Sequence, residues 1–234
     1  MLATTHQLKA PFAAIDANAQ LLLNGGCGPL PNEATAVVQR INARCRRLAT
    51  EIQEMLQLAN LNSNVQKPLP RARLDLAELL RWCMGQVQPV ATAREVRMSA
   101  ELLPVTLPGV EDHLKMLLLN VLMNAVTYSH RGGEVRIRCR PAGGDGAAEV
   151  AVCDDGIGIA PAKLPRIFDE HYRTNEAVRH NKESSGLGLA IVRNVARLHG
   201  IGVSVASQPG AGTTFELKFP PSAARREGAK GSPP

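Results

Sequence analysis

The chain has 234 residues, of which 44% are hydrophobic and only 3% aromatic. This length allows one large domain or two ordinary ones, with a core built mainly from Leu, Val, Ile and Ala. The formal charge of +6 does not indicate a nucleic-acid partner, because the basic residues are scattered apart from one group in a helix and one in the tail. The sequence shows no secretory signal and no apolar run of membrane-spanning length. We therefore expect a cytoplasmic segment without direct membrane contact, whose parent protein can still be membrane-anchored.

Cysteine usage agrees with that compartment. The five cysteines are odd in number and widely spaced, and no CxxC pair occurs among them. This pattern predicts buried, reduced thiols rather than disulfides or a metal cluster. They are Cys27, Cys45, Cys83, Cys139 and Cys153.

The first two predicted elements are helices whose apolar residues recur at spacings of three and four. The first series is Leu8, Phe12, Ile15, Ala19 and Leu22, and the second is Val38, Ile41, Cys45, Leu48, Ile52, Met55 and Ala59. Such spacing is typical of helical bundles with coiled-coil-like packing. Asn24-Gly25-Gly26 ends the first helix, and Pro31-Asn32 precedes the second. One hairpin buries only a stripe, so we expect two copies to pair as a homodimeric four-helix bundle.

The pattern changes after a stiff, Pro-containing linker. We expect a helical hairpin at 1–65, the linker at 66–72, a second domain at 73–220 and a disordered tail at 221–234. Within the second domain the sequence predicts helices at 76–93, 111–128 and 186–198, a polar loop at 160–185, and strands at 96–102, 135–140, 150–153, 203–207 and 214–219. Segregated helices and mostly antiparallel strands predict an α+β fold, with a two-layer α/β sandwich following the hairpin.

His6 is the first candidate for chemistry. At ~100° per residue, it lies about 160° from Leu8 on the seam of its helix, so its imidazole is predicted to face water. Pro11 removes a helical hydrogen bond five residues later and predicts a kink. These two features also fit an ordinary surface histidine.

Asn120, Asn124 and Tyr128 share one face of a helix that is apolar nearly all round. Buried amides need partners, so the two asparagines indicate either an internal hydrogen-bond network or a ligand face. Amide oxygens are hard ligands that suit Mg²⁺ together with phosphate oxygens and water.

Three glycine-containing segments follow. Asp154 ends a predicted strand and is followed by Gly156 and Gly158, which indicates either a plain turn or a carboxylate that accepts a hydrogen bond from an exocyclic amine. A second segment opens a helix, where backbone N–H groups and the helix dipole favour an anion, and consists of Gly186, Leu187, Gly188 and Leu189. The third, Gly210–Phe215, contains Thr213 and leads into the last strand. No Walker motif is present.

The order of these motifs is specific as a set. NxxxN, DxGxG, GxGL and GxGTxF follow one another over about a hundred residues, and here the chain resembles the Bergerat-type ATP-binding domain of sensor histidine kinases. The segment His6–Phe12 is similar to the phosphoacceptor box of that family, and Ile167–Arg173 to its aromatic F-box. The resemblance covers about residues 1–220.

The resemblance implies an ATP:protein-histidine phosphotransferase. It implies that His6 attacks the γ-phosphate of ATP and passes the phosphoryl group to an aspartate of a response-regulator receiver domain. Asn124 would coordinate Mg²⁺ with Asn120 nearby, and Asp154 would bind the adenine amine. The other implied nucleotide-binding residues are Tyr128, Gly156, Gly158, Arg173, Gly186, Leu187, Gly188, Leu189 and Thr213. The loop at 160–185 would form a mobile lid.

Three positions depart from the family pattern. Gln7 stands where a carboxylate usually follows the phosphoacceptor, Ala10 where Thr or Asn positions a hydrolytic water, and Thr127 where many members have Lys. These departures keep open an alternative, a kinase-impaired nucleotide-binding module that acts by conformational change. A gyrase-type ATPase is disfavoured by Asn120, since an amide cannot be the base that activates water.

Overall fold

The structure, a computed structural model, describes residues 2–63, 71–143, 146–181 and 184–221, with side chains of the first two helices described from residue 11 to residue 61. It divides into two compact units. One comprises the N-terminal region to residue 67 with residues 162–194, and the other comprises residues 68–161 with the region from 195 onward. The predicted tail, apart from Pro221, and most of the predicted linker lie outside the described residues.

The hairpin of the first unit consists of α1 (Leu2–Leu23) and α2 (Asn32–Ser63), which pack against each other. Arg46 of α2 holds Asp16 of α1 through two hydrogen bonds, of 2.5 and 3.1 Å. Part of the predicted seam stays exposed within one chain: Ile41, Leu48 and Met55 are 44–50% exposed. Their spacing of seven places them on one stripe of α2. Among the described residues, no helix is both long and apolar enough to cross a membrane.

The second unit is built on a sheet. Its strands are β1 (Ala72–Asp75), β2 (Arg97–Leu102), β3 (Thr106–Gly109), β4 (Glu134–Pro141), β5 (Ala148–Asp154), β6 (Gly202–Ser207) and β7 (Thr213–Phe219). Five of them form one sheet in the order β2-β4-β5-β7-β6, in which only the β2–β4 pair is parallel. The predicted α+β class is confirmed. The short strands β1 and β3 pair with each other and were not predicted, because four residues carry too little alternation.

Two predicted helices, α3 (Leu76–Ala93) and α4 (Glu111–Tyr128), have the bounds that the sequence indicated. Asp75 begins α3 by accepting hydrogen bonds from the N–H groups of Ala77 and Glu78. The two helices pack on each other, α3 contacts β2, and α4 contacts β5. The largest buried side chains of this unit are mainly leucines: Leu76, Leu80, Leu114, Leu117, Leu118, Leu122 and Leu217. Strand β5 alternates buried and half-buried residues from Ala148 onward, so Asp154 at its end falls on the buried face.

Three predictions need correction. The helix predicted from Gly186 begins two residues later, as α6 (Gly188–His199), because the φ of +79° at Gly186 is incompatible with a helix. The segment predicted as a polar loop contains a 3₁₀ helix (Pro161–Arg166) and α5 (Asn175–His180). Not all cysteines are buried, since Cys27 is exposed; burial raises the pKa of Cys83 to about 12 and that of Cys139 to about 11.

A buried histidine pair joins α4 to the end of α6. His199 Nε2 lies 3.3 Å from His113 Nδ1, and both rings are buried. Burial, the neighbouring His113 and Arg71 lower the pKa of His199 to about 4, and burial also lowers the pKa of His113 against the raising effect of Asp112. The pair is therefore neutral in the folded protein at physiological pH.

This pair predicts a pH-dependent stability. Below the ordinary histidine pKa of 6.5, the unfolded chain takes up protons that folded His199 binds only near pH 4, so folding becomes less favourable as the pH falls through this window. The free energy of unfolding, measured with urea at pH 6.5 and at pH 4.5, should decrease between these two values. The decrease should be smaller in His199→Gln than in the unsubstituted chain, by roughly 1–3 kcal/mol. His130→Gln, at an exposed histidine, is the control. Equal losses in all three proteins would contradict the prediction.

Candidate functional site

Asp154 is the centre of the candidate site in the second unit. Its side chain is buried, and its Oδ1 accepts a hydrogen bond of 3.1 Å from the backbone N–H of Thr213. The register that pairs Asp154 with Thr213 on β7 produces this contact. The neighbouring Asp155 points the other way, where Arg136 Nη2 donates to it at 2.9 Å. The strand end thus separates a buried carboxylate, that of Asp154, from a half-buried, ion-paired one, that of Asp155.

Glycines let the backbone close around Asp154. A Cβ on Gly212 would collide with the carbonyl oxygen of Asp154, and Gly212 has a φ of +85°. Gly158 has a φ of +65°, and a Cβ there would collide with the backbone of Gln208. Side chains at either position would force the two loops apart. The spacing of the DxGxG and GxGTxF motifs is therefore explained by contact between their backbones.

Burial raises the pKa of Asp154 to about 7, although the N–H groups of Thr213 and Gly156 stabilise its ionised form. Asp155 raises this pKa further, and Arg136 lowers it. The carboxylate therefore titrates near neutral pH and lacks a full set of donors for its charge. A ligand that donates a hydrogen bond to it would supply one of them.

The asparagine face lies on α4, half-buried. Asn120 Nδ2 donates to the carbonyl of Met116 at 2.8 Å, which leaves its side-chain oxygen available. No hydrogen bond to the Asn124 side chain is found among the described residues. The end of α4 is tied to the glycine loop, because Ile157 N–H donates to the carbonyl of Tyr128 at 3.1 Å. Asn120, Asn124 and Tyr128 thus share one helix face in the unit that contains Asp154.

This donor set fits Mg²⁺ carried by a nucleotide. Within the described ranges, no group of three or more His, Cys, Asp or Glu side chains is placed to hold a metal. A dedicated protein cage is therefore not available there. One amide oxygen from Asn124, with phosphate oxygens and waters completing the shell, matches the usual way in which Mg²⁺ binds beside phosphates.

The segment Gly186–Leu189 lies in the first unit and leads into α6. The carbonyl of Gly186 accepts a 3.1 Å hydrogen bond from His171 N–H. Ser185 Oγ accepts one of 3.1 Å from Leu187 N–H, just before the helix begins at Gly188. Leu187 itself is buried. Gly186 and Leu187 therefore precede the helix, while Gly188 and Leu189 are its first two residues. Helix N-termini present N–H groups that suit anions.

Arg173 and the predicted lid also belong to the first unit. Arg173 Nη2 donates to the carbonyl of Asn181, and its buried Nε has no partner among the described residues. Lys163 binds Glu176 of α5 at 2.6 Å, which ties the two short helices of the segment together. The described part of this segment thus contains two short helices joined by an ion pair, which its polar composition did not indicate.

His6 lies within α1, whose helix continues through Pro11. The predicted outward direction of its imidazole falls outside the described side chains.

Ser207 was missed by the sequence reasoning. Its hydroxyl accepts from Ile159 N–H at 2.8 Å, donates to the carbonyl of Gly212 at 2.9 Å and lies 2.9 Å from Thr213 Oγ1. It therefore connects the loop after Asp154 with the turn before β7. A serine at a strand end has no distinctive pattern, and only the register with Thr213 shows its role.

Two family models match the chain. The His Kinase A (phospho-acceptor) domain matches residues 3–64, and the histidine kinase-, DNA gyrase B- and HSP90-like ATPase model matches residues 109–223. The sensor-like histidine kinase SenX3 of Mycolicibacterium smegmatis is 31% identical over 92% of this chain and 55% of its own length. The phosphate regulon sensor protein PhoR of Pseudomonas aeruginosa is 31% identical over 93% of this chain and 48% of its own length. The chain thus spans about half the length of these relatives.

Solved structures agree with these matches. Full-length ShkA in complex with AMPPNP has a TM-score of 0.72 and 26% identity, covering 95% of this chain and 46% of ShkA. The mycobacterial sensor histidine kinase MprB has a TM-score of 0.57 and 29% identity, covering 65% of this chain and 98% of that structure. None of these similarities favours a kinase-impaired module.

Asp154 generates a prediction on ligand binding. If its ionised carboxylate accepts the adenine amine, affinity should increase as the pH rises through about 7, because the acceptor is then charged. Between pH 6 and 8 we expect adenosine, which carries no titrating phosphate, to bind about tenfold more tightly at the higher pH. NMR titration of the protein with adenosine at each pH measures this affinity. Asp155→Asn should keep the pH dependence, and Asp154→Asn should lose both the dependence and most of the affinity; an unchanged dependence in Asp154→Asn would contradict the assignment.

Proposed function

The chain belongs to the sensor histidine kinases, as the catalytic core of a two-component sensor, and we propose that it phosphorylates its own His6 from ATP. The observation that carries this proposal is the buried, incompletely compensated carboxylate of Asp154, enclosed by glycine loops in a unit that also presents Asn120 and Asn124. This arrangement suits an adenine amine at one end and a magnesium-loaded phosphate chain along α4. The matched ATPase family model supports ATP use.

Each group has one task in the proposed site. Asp154 accepts a hydrogen bond from the adenine amine, while Thr213, Gly156 and Gly158 shape the surrounding backbone. Asn124 supplies the amide ligand to Mg²⁺, which would neutralise phosphate charge when bound. The remaining proposed contacts to the nucleotide come from Asn120, Tyr128, Arg173, Gly186, Leu187, Gly188 and Leu189. Phosphoryl transfer depends mostly on such positioning and charge stabilisation.

The proposed transfer replaces one bond by another. A nitrogen of neutral His6 attacks the γ-phosphorus of ATP, the bond from phosphorus to the β–γ bridging oxygen breaks, and ADP leaves. The imidazole then releases its N–H proton to solvent, since Gln7 cannot accept it. We propose that the phosphoryl group passes next to an aspartate of a response-regulator receiver domain, the partner class of two-component kinases.

We also propose that two chains pair through their hairpins. The exposed stripe of Ile41, Leu48 and Met55 on α2 is apolar and evenly spaced. Pairing with a second copy would remove this surface from water. The match to the phospho-acceptor domain supports this assignment.

The first test is chemical. The chain is incubated with γ-labelled ATP and Mg²⁺, and the label should be acid-labile and base-stable, as in a phosphohistidine. His6→Gln should abolish the label but leave nucleotide affinity unchanged, because His6 is not a binding residue in the proposed site. His130→Gln should keep the label. Undiminished label in His6→Gln would rule out the phosphoacceptor assignment.

The second test concerns the dimer. Leu48→Glu introduces one charge into the apolar stripe of each copy. Each of these two charges should weaken association by about 2 kcal/mol or more. Sedimentation equilibrium should therefore show a monomer at concentrations where the unsubstituted chain is a dimer. Thr50→Glu, about 200° around the same helix, is the matched control. A dimer that survives Leu48→Glu unchanged would contradict the proposed interface.

A further inference from the structure

A polar contact within the first unit joins α2 to the segment before α6. Ser185 Oγ–H donates to Glu54 Oε2, and the same hydroxyl accepts from Leu187 N–H at 3.1 Å. The two bonds form a chain that runs from the backbone of the glycine segment, through one serine, to a carboxylate on the hairpin. The hydroxyl donates its one proton to the carboxylate and accepts through one of its lone pairs, so the two bonds are compatible.

The carboxylate of Glu54 is in an unfavourable environment for a charge. It is half-buried, and burial raises its pKa; Glu51 raises it further, while Ser185 and His171 lower it. A partly desolvated carboxylate destabilises a protein unless hydrogen bonds compensate the charge. Ser185 provides such compensation, so the contact links the conformation of the glycine segment to that of α2.

Glu54 on α2 and His6 on α1 lie at nearly the same level along the axis of the hairpin. The Arg46–Asp16 ion pair sets the register of the two antiparallel helices. Glu54 follows Arg46 by eight residues, about 12 Å along α2, and His6 precedes Asp16 by ten residues, about 15 Å in the same direction along α1. The two residues therefore lie at levels that differ by about 3 Å.

From this coincidence, and on the basis of the proposed function, we propose that Glu54 is a positioning residue for phosphoryl transfer. Through Ser185 it holds the glycine segment Gly186–Leu189 at the level of the phosphoacceptor. Glu54 contacts neither nucleotide nor imidazole in this role. Its effect is on the alignment of the phosphates with His6, and alignment errors of about 1 Å can slow a reaction about a hundredfold.

The experiment separates alignment from binding. Affinity for a non-hydrolysable ATP analogue is measured by calorimetry, and the rate of phosphohistidine formation is measured at saturating Mg-ATP. Glu54→Ala should keep the affinity within about twofold and slow the reaction about ten- to a hundredfold, the effect of losing a hydrogen bond to a charged group. Glu54→Gln retains an acceptor and should recover part of the rate. Glu33→Ala, at an exposed carboxylate near the start of the same helix, is the matched control and should leave both quantities unchanged.

Variants of Ser185 test whether Glu54 acts through its hydrogen bond with this serine. Ser185→Ala should also slow the reaction, and the double variant Glu54→Ala/Ser185→Ala should be no slower than the slower single variant, because both remove one chain of contacts. Losses that multiply in the double variant would overturn the proposal. So would a rate in Glu54→Ala equal to that of the unsubstituted chain, or above it, since a higher rate would mean that the contact restrains transfer. Nucleotide binding without any phosphohistidine in the unsubstituted chain would overturn the proposed function, and this role with it.

Discussion

The buried carboxylate of Asp154 is the constraint on which the second unit depends. An acidic group on the inner face of a sheet is unfavourable unless donors surround it, and two backbone N–H groups, of Thr213 and Gly156, approach it for this purpose. These approaches require loops without side chains, which explains the glycines on either side. The fold therefore tolerates an incompletely compensated charge at one point, and that point is where a ligand can complete the compensation.

The surrounding architecture fixes the direction of this carboxylate. Alternation along β5 places Asp154 on the same face as Val150 and Val152, so the side chain cannot turn outward without reversing the strand. On the opposite face, Asp155 is held by Arg136. The helix α4 packs against β5 and presents its asparagines at the same time. On β5 the candidate ligand group therefore shares the buried face with the packing residues, whereas on α4 the asparagines are half-buried beside the fully buried leucines.

Much of this organisation could be predicted from the sequence, for reasons specific to each element. The bounds of α3 follow from apolar periodicity and a capping aspartate, and those of α4 follow from a long apolar run, all of which are local signals. The strands β1 and β3 could not be predicted, because they are stabilised by pairing between distant segments. The start of α6 was predicted two residues early, since a glycine in a GxGL motif does not reveal the sign of its φ. Ser207 and Ser185 carry no pattern, and their roles depend on partners 6 and 131 residues away.

The stripe on α2 has a geometric consequence for any assembly that uses it. Its residues recur every seven positions, whereas a straight helix needs 3.6 residues per turn, so the stripe drifts by about 20° per heptad around the helix. Two such helices can keep the stripes in contact only by winding around each other with a left-handed supercoil. A change in that winding would rotate every backbone position of the hairpin about the bundle axis.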